Sequence, residues 1–195
     1  MLASPYSFLT PYLLIGVAIA VLASLAVYVL VTYNALVLRR NRVEAQWAQV
    51  DVQLTRRADL VPSLVEAVKG YAAHEKALFS TLAHARSALA VAPTPGQALG
   101  ANEQLSDQLL SLFALVEAYP ALQADKSFIA LQADLKETED KIAYARQFYN
   151  DTVLLYQDKL QQFPSSVVGR LLRFKDESYF LPAPGNESVV SVELS

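Results

Sequence analysis

Cysteine is absent from the 195 residues of this chain. That excludes disulfides, thiolate-bound zinc, a thiol nucleophile and a lipid-modified cysteine. Glycine is scarce, with six in all, and none sits in a phosphate-cradling loop motif. The two histidines, His74 and His84, lie ten residues apart. On one helix that separation is about 280° of rotation, so they would not share a face. No Glu-x-x-His spacing of the kind used by di-iron bundles occurs. Serines and threonines have no histidine at a recognisable motif spacing. No catalytic residue, metal site, cofactor or small-molecule substrate is therefore expected, and no enzyme. The net charge of −3 suggests no nucleic-acid partner.

Charge is also missing from one long stretch. Residues Phe8 to Val31 carry none, and about 20 apolar residues in helix suffice to cross a bilayer's hydrocarbon core. A single transmembrane helix is expected over 8–31, after a short N-terminal segment, 1–7. A cleaved signal peptide would have a basic start and a shorter apolar region. Here no Lys or Arg precedes the run, and apolar residues continue past the small-residue stretch Ala18-Ile19-Ala20. Arg39, Arg40, Arg42, Arg56 and Arg57 all follow it. The positive-inside rule then places the N-terminus outside and the bulk of the chain in the cytoplasm. The lipid bilayer is the first expected partner.

Beyond the run, alanine, leucine and glutamine dominate, the profile of long helices. Val43, Trp47, Val50 and Leu54 mark one helical stripe, with no proline or glycine between it and the apolar run. Asp59 and Pro62 interrupt the pattern. A turn is expected there, with Asp59 capping a new helix and Pro62 in its first turn; a kinked single helix is the alternative. Val61, Leu64, Val68, Tyr71, Glu75, Leu78, Leu82, Ala85 and Leu89 then alternate at three and four. Glu75 is out of place in such a stripe and would need a cation such as Arg146 or Arg42. Pro93-Thr94-Pro95-Gly96 reads as a loop. Leu105, Leu109, Leu112, Val116 and Tyr119 form a third stripe, stopped by Pro120. Phe128, Leu131, Leu135, Thr138, Ile142, Ala145, Tyr149, Thr152 and Tyr156 form the fourth and longest. Asp125 is its expected cap and Pro164 its end.

The expected fold is all-α: the transmembrane helix, an up-down-up-down antiparallel four-helix bundle over 33–163, and an irregular C-terminal tail over 164–195. Within the tail, Val167, Val168, Leu171, Leu172 and Phe174 interleave with Arg170, Arg173 and Lys175, a short basic amphipathic piece.

Several local motifs together resemble one family. Tyr33-Asn34-Ala35-Leu36-Val37, Arg40-Asn41-Arg42-Val43-Glu44, Trp47 and the run from Asp51 to Glu66 resemble the LemA family. So do Val68-Lys69-Gly70-Tyr71, His74-Glu75, Ala85-Arg86, Tyr119-Pro120, Phe148-Tyr149-Asn150, Phe163-Pro164 and Phe174-Lys175. The match runs in order along nearly the whole chain. Departures are Gln157, where the family has a second Tyr-Asn pair, Ser165 in place of a glycine, and the Pro93–Gly96 connector. The resemblance implies a bacterial inner-membrane protein with an N-terminal anchor, a helical bundle and no catalytic activity. It also admits a magnetosome-membrane branch, MamQ-like, which would imply a membrane-remodelling or organelle-forming role.

Two candidate surfaces follow. The polar cluster Gln53, Arg56, Arg57 and Asp59 reads either as a capped helix end or as a docking site at the membrane-distal tip for an unknown membrane or cytoplasmic protein. The segment Arg170, Leu171, Leu172, Arg173, Phe174 and Lys175 reads either as a membrane-surface contact or as a piece packed on the bundle.

Overall fold

Helix α1 runs without a break from Thr10 to Lys69. It is followed by α2 (Lys76–Ala90), α3 (Pro95–Val116), a single turn α4 (Pro120–Gln123), α5 (Lys126–Gln161) and α6 (Ser165–Leu171). The computed structural model describes residues 10–180, and among these there is no strand. The expected start of the apolar run at Phe8, the segment 1–7 and the tail beyond Phe180 lie outside the described residues. The chain divides into two compact units, Met1–Arg42 with Leu154–Asp176, and Val43–Val153 with Glu177–Ser195.

In the first unit, the large apolar side chains of α1 from Tyr12 to Val27 are exposed, and Leu30 and Val31 are too. The mean hydropathy of this stretch reaches 2.8 over 18 residues, with none of that window buried. Burial inside a protein core therefore does not account for the run. Full burial on α1 begins at Thr32 and Leu36. There the guanidinium of Arg39 donates to the carbonyl of Leu155 at 2.6 Å. The edge of the Tyr33 ring meets Phe174 with centroids 5.8 Å apart. The C-terminal part of α5 thus runs antiparallel to α1 in this unit, with Leu155 beside Arg39.

In the second unit the apolar stripe of α1 is fully covered: Val50, Leu54, Val61, Leu64 and Val68 are all at most 2% exposed. α5 lies antiparallel to it, with Tyr149 beside Trp47 and Glu139 beside Arg57. α2 returns along α1, placing Phe79 near Lys69 and Arg86 near Asp59. α3 packs on α2, and its Phe113 meets Phe128 of α5 edge-on.

The turn expected at Asp59–Pro62 does not form. Pro62 lies inside α1, where it cannot donate the usual hydrogen bond to the carbonyl of Ala58. That orphaned, buried carbonyl accepts instead from Nε of Arg86 on α2, at 2.9 Å. Asp59 is no cap; its carboxylate lies 3.5 Å from the same guanidinium and holds it in place. Arg86 thus supplies from another helix the donor that proline lacks.

The chain turns later, between Gly70 and Glu75. The amides of Tyr71 and Ala72 both close back on the carbonyl of Val68. This break restarts the helical phase. Phe79, Leu82, Ala85 and Leu89 form the buried stripe of α2, so Phe79 takes the inner position expected for Leu78, which is only half-buried. Glu75 precedes α2 and is exposed, so it needs no buried cation. His74 lies in the turn and His84 is exposed on α2.

The other boundaries are local matters. Thr94 caps α3, its hydroxyl oxygen accepting from the amide of Gln97 at 3.3 Å, and Pro95 opens the helix, so the expected loop is two residues shorter. Asp125 caps α5, accepting from the amides of Ser127 at 2.8 Å and Phe128 at 3.1 Å.

Candidate functional site

Of the four residues in the polar cluster, Arg57 goes inward. Its side chain is 6% exposed, and its two terminal nitrogens divide between α3 and α5. One donates to the side-chain oxygen of Asn102; the other lies 3.0 Å from the carboxylate of Glu139. Burial pulls the guanidinium below its ordinary range, and the Glu139 charge partly restores it. A charge so enclosed needs these partners, because leaving either side unmet costs the full desolvation of a buried ion. Nε of Arg57 has no hydrogen-bond partner. The residue lines an open groove of about 530 Å³ between α3 and α5, with Leu109, Leu110, Phe113 and Lys136 along its walls.

The remaining three point elsewhere. Asp59 pairs with Arg86 as above. Arg56 lies 4.0 Å from Glu137, an exposed carboxylate that also accepts from Lys141 one turn on. That hydrogen bond, then the charges of Lys141 and Arg56, hold Glu137 below the usual carboxylate range. Such exposed pairs contribute little to stability. Gln53 faces α5 beside Tyr144 and Phe148. The cluster is therefore not one patch, nor does it sit at a helix end, since α1 continues ten residues past Asp59 to Lys69.

The structure brings together a surface that the sequence pattern did not single out. Gln46, Gln49 and Gln53 of α1 line a groove with Lys141, Tyr144 and Phe148 of α5. The two rings stand 4.6 Å apart and are 65% and 42% exposed. The signal was present as glutamines at spacings of three and four, and aromatics four apart.

The aromatic residues that look like core on the fourth stripe do a second job. Tyr149 is 1% exposed and donates its hydroxyl to the carbonyl of Ser178 at 2.7 Å. The Asn150 amide both donates to the carbonyl of Phe180 at 3.1 Å and accepts from its backbone amide at 2.9 Å. Phe180 is buried and meets Trp47 at 5.8 Å. In the first unit, Tyr156 likewise donates to the carbonyl of Lys175 at 2.7 Å. Backbone acceptors far along the chain gave no sequence signal. Burial, then the nearby Glu177 charge, push the Tyr149 phenol up to about 12.

The basic amphipathic piece, in the first unit, splits its apolar residues between two sides. Val168 is 5% exposed and Gly169 is buried. A Cβ at Gly169 would run into the end of the Leu160 side chain on α5, so glycine allows this close approach without displacing that side chain. Ser165 is buried, and its hydroxyl is shared between the carbonyls of Lys159 and Gln162 at 2.7 and 2.8 Å, closing the end of α5. α6 ends with Arg173 in the left-handed region at φ 58°. The Phe174 amide bonds back to the carbonyl of Gly169, and that of Arg173 to Arg170. This Schellman arrangement delivers Phe174 to Tyr33. Facing out are Phe163, 84% exposed, Val167, 58%, Leu171, 73%, and Leu172, 42%. Arg170, Arg173 and Lys175 are exposed beside them. Of the residues expected at a membrane surface, Phe174 packs on Tyr33, while Leu171 and Leu172 are exposed together with Phe163 and Val167.

The chain is similar to several known proteins. Magnetosome protein MamQ of Magnetospirillum gryphiswaldense is 24% identical over 204 residues, covering 91% of this chain and 75% of the relative. Magnetosome proteins MamQ 1 and MamQ 2 of Paramagnetospirillum magneticum are each 26% identical over 192 residues, covering 85% of this chain and 71% of the relative. The family profile described as the LemA family matches residues 46–194. The chain belongs to the LemA family.

Proposed function

We propose that this protein is a non-enzymatic scaffold anchored in a bacterial inner membrane by the apolar part of α1, with the helical units displayed in the cytoplasm. One observation carries the proposal: an uncovered apolar stretch, wide enough for a bilayer, continues as one unbroken helix into covered, packed helix. A leader destined for cleavage has no need of such continuity. The antiparallel pairings of α1 with α2 and of α1 and α3 with α5 support an up-down-up-down four-helix arrangement over the soluble part, with 164–195 as its tail. The partner-facing surface is assigned to Gln46, Gln49, Gln53 and Arg56 beside Tyr144 and Phe148. Exposed aromatics ringed by hydrogen-bonding groups are typical anchors at protein interfaces.

Cysteine placed one at a time in this cysteine-free chain tests the topology. A cysteine at Ser4 reacts with an impermeant thiol reagent in intact cells, and one at Ser111 does not; the reverse pattern overturns the orientation. A photo-crosslinker at Tyr144, followed by mass spectrometry of intact membranes, identifies the partner. Capture equal to that from a crosslinker at Ser80 overturns the surface. The magnetosome relatives support a second proposal, a membrane-remodelling or organelle-forming component in a magnetosome membrane. Unchanged membrane morphology in a deletion strain removes it.

A further inference from the structure

We infer that the outward ridge of Phe163, Val167, Leu171 and Leu172 is a second, monotopic membrane contact that inserts into the headgroup region of the bilayer carrying α1. The inference rests on the anchor proposed above and adds a lipid-binding site to it.

Three observations meet at this ridge. The first is level. The lipid-compatible run of α1 ends at Val31, and Phe174, three residues past the end of α6, packs on Tyr33. At about 1.5 Å per residue, Tyr33 lies only about 3 Å beyond the end of the run. α6 is therefore held where hydrocarbon gives way to headgroups, by contacts within one compact unit.

The second is orientation. α6 already has a packed side, with Val168 buried and Gly169 pressed on Leu160. Its remaining apolar side chains are therefore surplus to packing. Phe163 and Leu171 are as exposed as Tyr12, Leu13 and Leu14 of the membrane run. Large apolar groups clustered on a surface mark something that covers them.

The third is charge. Arg170, Arg173 and Lys175 flank the ridge and are exposed. Long cationic side chains reach from an apolar surface to phosphate while their stems stay in the acyl boundary. The matching ligand is an anionic phospholipid surface. A protein partner would need to fit between the ridge and the bilayer, whereas lipid is already there.

The contact would hold the first unit to the bilayer at two points, the apolar run of α1 and the ridge. A single helix leaves a rigid body free to tilt and rotate; a second contact beside it removes much of that freedom. Gly169 and the Arg173 cap then have a functional reason, since together they set the ridge at the membrane level.

The test uses the full chain in liposomes of phosphatidylcholine with phosphatidylglycerol. Single cysteines at Val21, Leu171, Val167 and Ser80 carry an environment-sensitive fluorophore, read by lipids bearing quenchers at shallow or deep positions. Val21 is expected to be quenched from deep in the bilayer, Leu171 and Val167 from its shallow region, and Ser80 not at all. Arg170→Glu with Lys175→Glu should weaken the shallow quenching, because losing each cation lowers the inserted-to-free ratio about fivefold and the added negative charges lower it further. If Val21 is quenched while Leu171 and Val167 match Ser80, the ridge does not insert and the anchor stands. If Val21 is also unquenched, anchor and ridge fall together. Oxidation of Leu171→Cys to a disulfide dimer, without lipid quenching, shows that a second copy covers the ridge and overturns the lipid assignment.

Discussion

The two halves of α1 share one backbone and one secondary structure, yet they obey opposite rules. From Tyr12 to Val31 the large apolar side chains are almost all turned outward, and no stripe is distinguished from its opposite face. From Leu36 to Val68 one stripe is covered, with Leu36, Val43, Val50, Leu54, Val61, Leu64 and Val68 at most 2% exposed, while Leu38 and Val52 on other faces are exposed. The first half is uncovered by the chain on all sides, which suits the candidate membrane span. The second needs neighbours on one side, which α2, α3 and α5 provide. Helix propensity does not distinguish them. The solvent each half requires does.

That contrast is sharpest for core truncation. Leu64→Ala should cost about 2–5 kcal/mol, because Leu64 is 0% exposed and leaves a cavity among rigid neighbours. Leu22→Ala, at 64% exposed, should change the melting temperature of the helical domain in detergent by less than the measurement error. Equal effects of the two variants would erase the distinction.

The buried half is also covered by chain beyond the helices, and alkaline pH tests this. The Tyr149 phenol has an ordinary value of 10.0 and sits near 12 in the fold. The folded chain therefore keeps a proton that the unfolded chain releases. Stability from this group is complete below pH 10, declines above it, and is lost by about pH 12, on the order of 2–3 kcal/mol in all. Alkaline urea titrations should show this slope in the wild type and lose it in Tyr149→Phe. The chain's one tryptophan, Trp47, should report the loosening of Phe180 over the same range.

A smaller effect isolates the tertiary support of α1 at its proline. Arg86→Ala should cost about 1–3 kcal/mol, since it leaves the Ala58 carbonyl without a donor. In a Pro62→Ala background the helix regains its own amide for that carbonyl, so the same truncation should cost markedly less. An additive double-mutant cycle, measured by denaturant unfolding, would show that Arg86 does not substitute for the missing amide. The smallest effect is expected at a purely local feature. Thr94→Ala removes the cap of α3 and should cost about 1 kcal/mol, with no coupling to Pro62 or Arg86.

Much of the fold was legible in advance because it rests on periodicity and local chemistry. Most positions of the stripes led by Val43, Leu105 and Phe128 are buried, with Trp47, Leu131, Ala145 and Thr152 half-buried and Val153 buried in place of Thr152, and Asp125 caps α5 as its carboxylate and position suggest. The second stripe was misread where local rules conflict with long-range ones. Pro62 has the local signature of a helix start, and it is the reach of Arg86 to the Ala58 carbonyl, 28 residues apart, that supports a helix interior there. Gly70 and the five residues after it carry no proline, so the true turn is the less visible one; in α2 the sequence stripe differs only at its first position, Leu78 in place of Phe79, while Leu82, Ala85 and Leu89 are buried as expected. The candidate cluster at Gln53–Asp59 failed as a single surface for a similar reason. Consecutive positions on a helix fan out to different neighbours, and Arg57 turned to Asn102 and Glu139.

The sequence by itself determined that the chain is helical, that its first long segment is apolar enough to cross a membrane, and where α5 begins, because caps, prolines and hydrophobic periods act over a few residues. The tertiary structure alone decided that α1 passes through its proline, that Tyr149, Asn150 and Tyr156 hold distant backbone, and that Phe174, just past α6, meets Tyr33 where the apolar run ends. Each of these depends on groups far apart in sequence meeting within hydrogen-bond or van der Waals distance, and no local pattern encodes such a meeting.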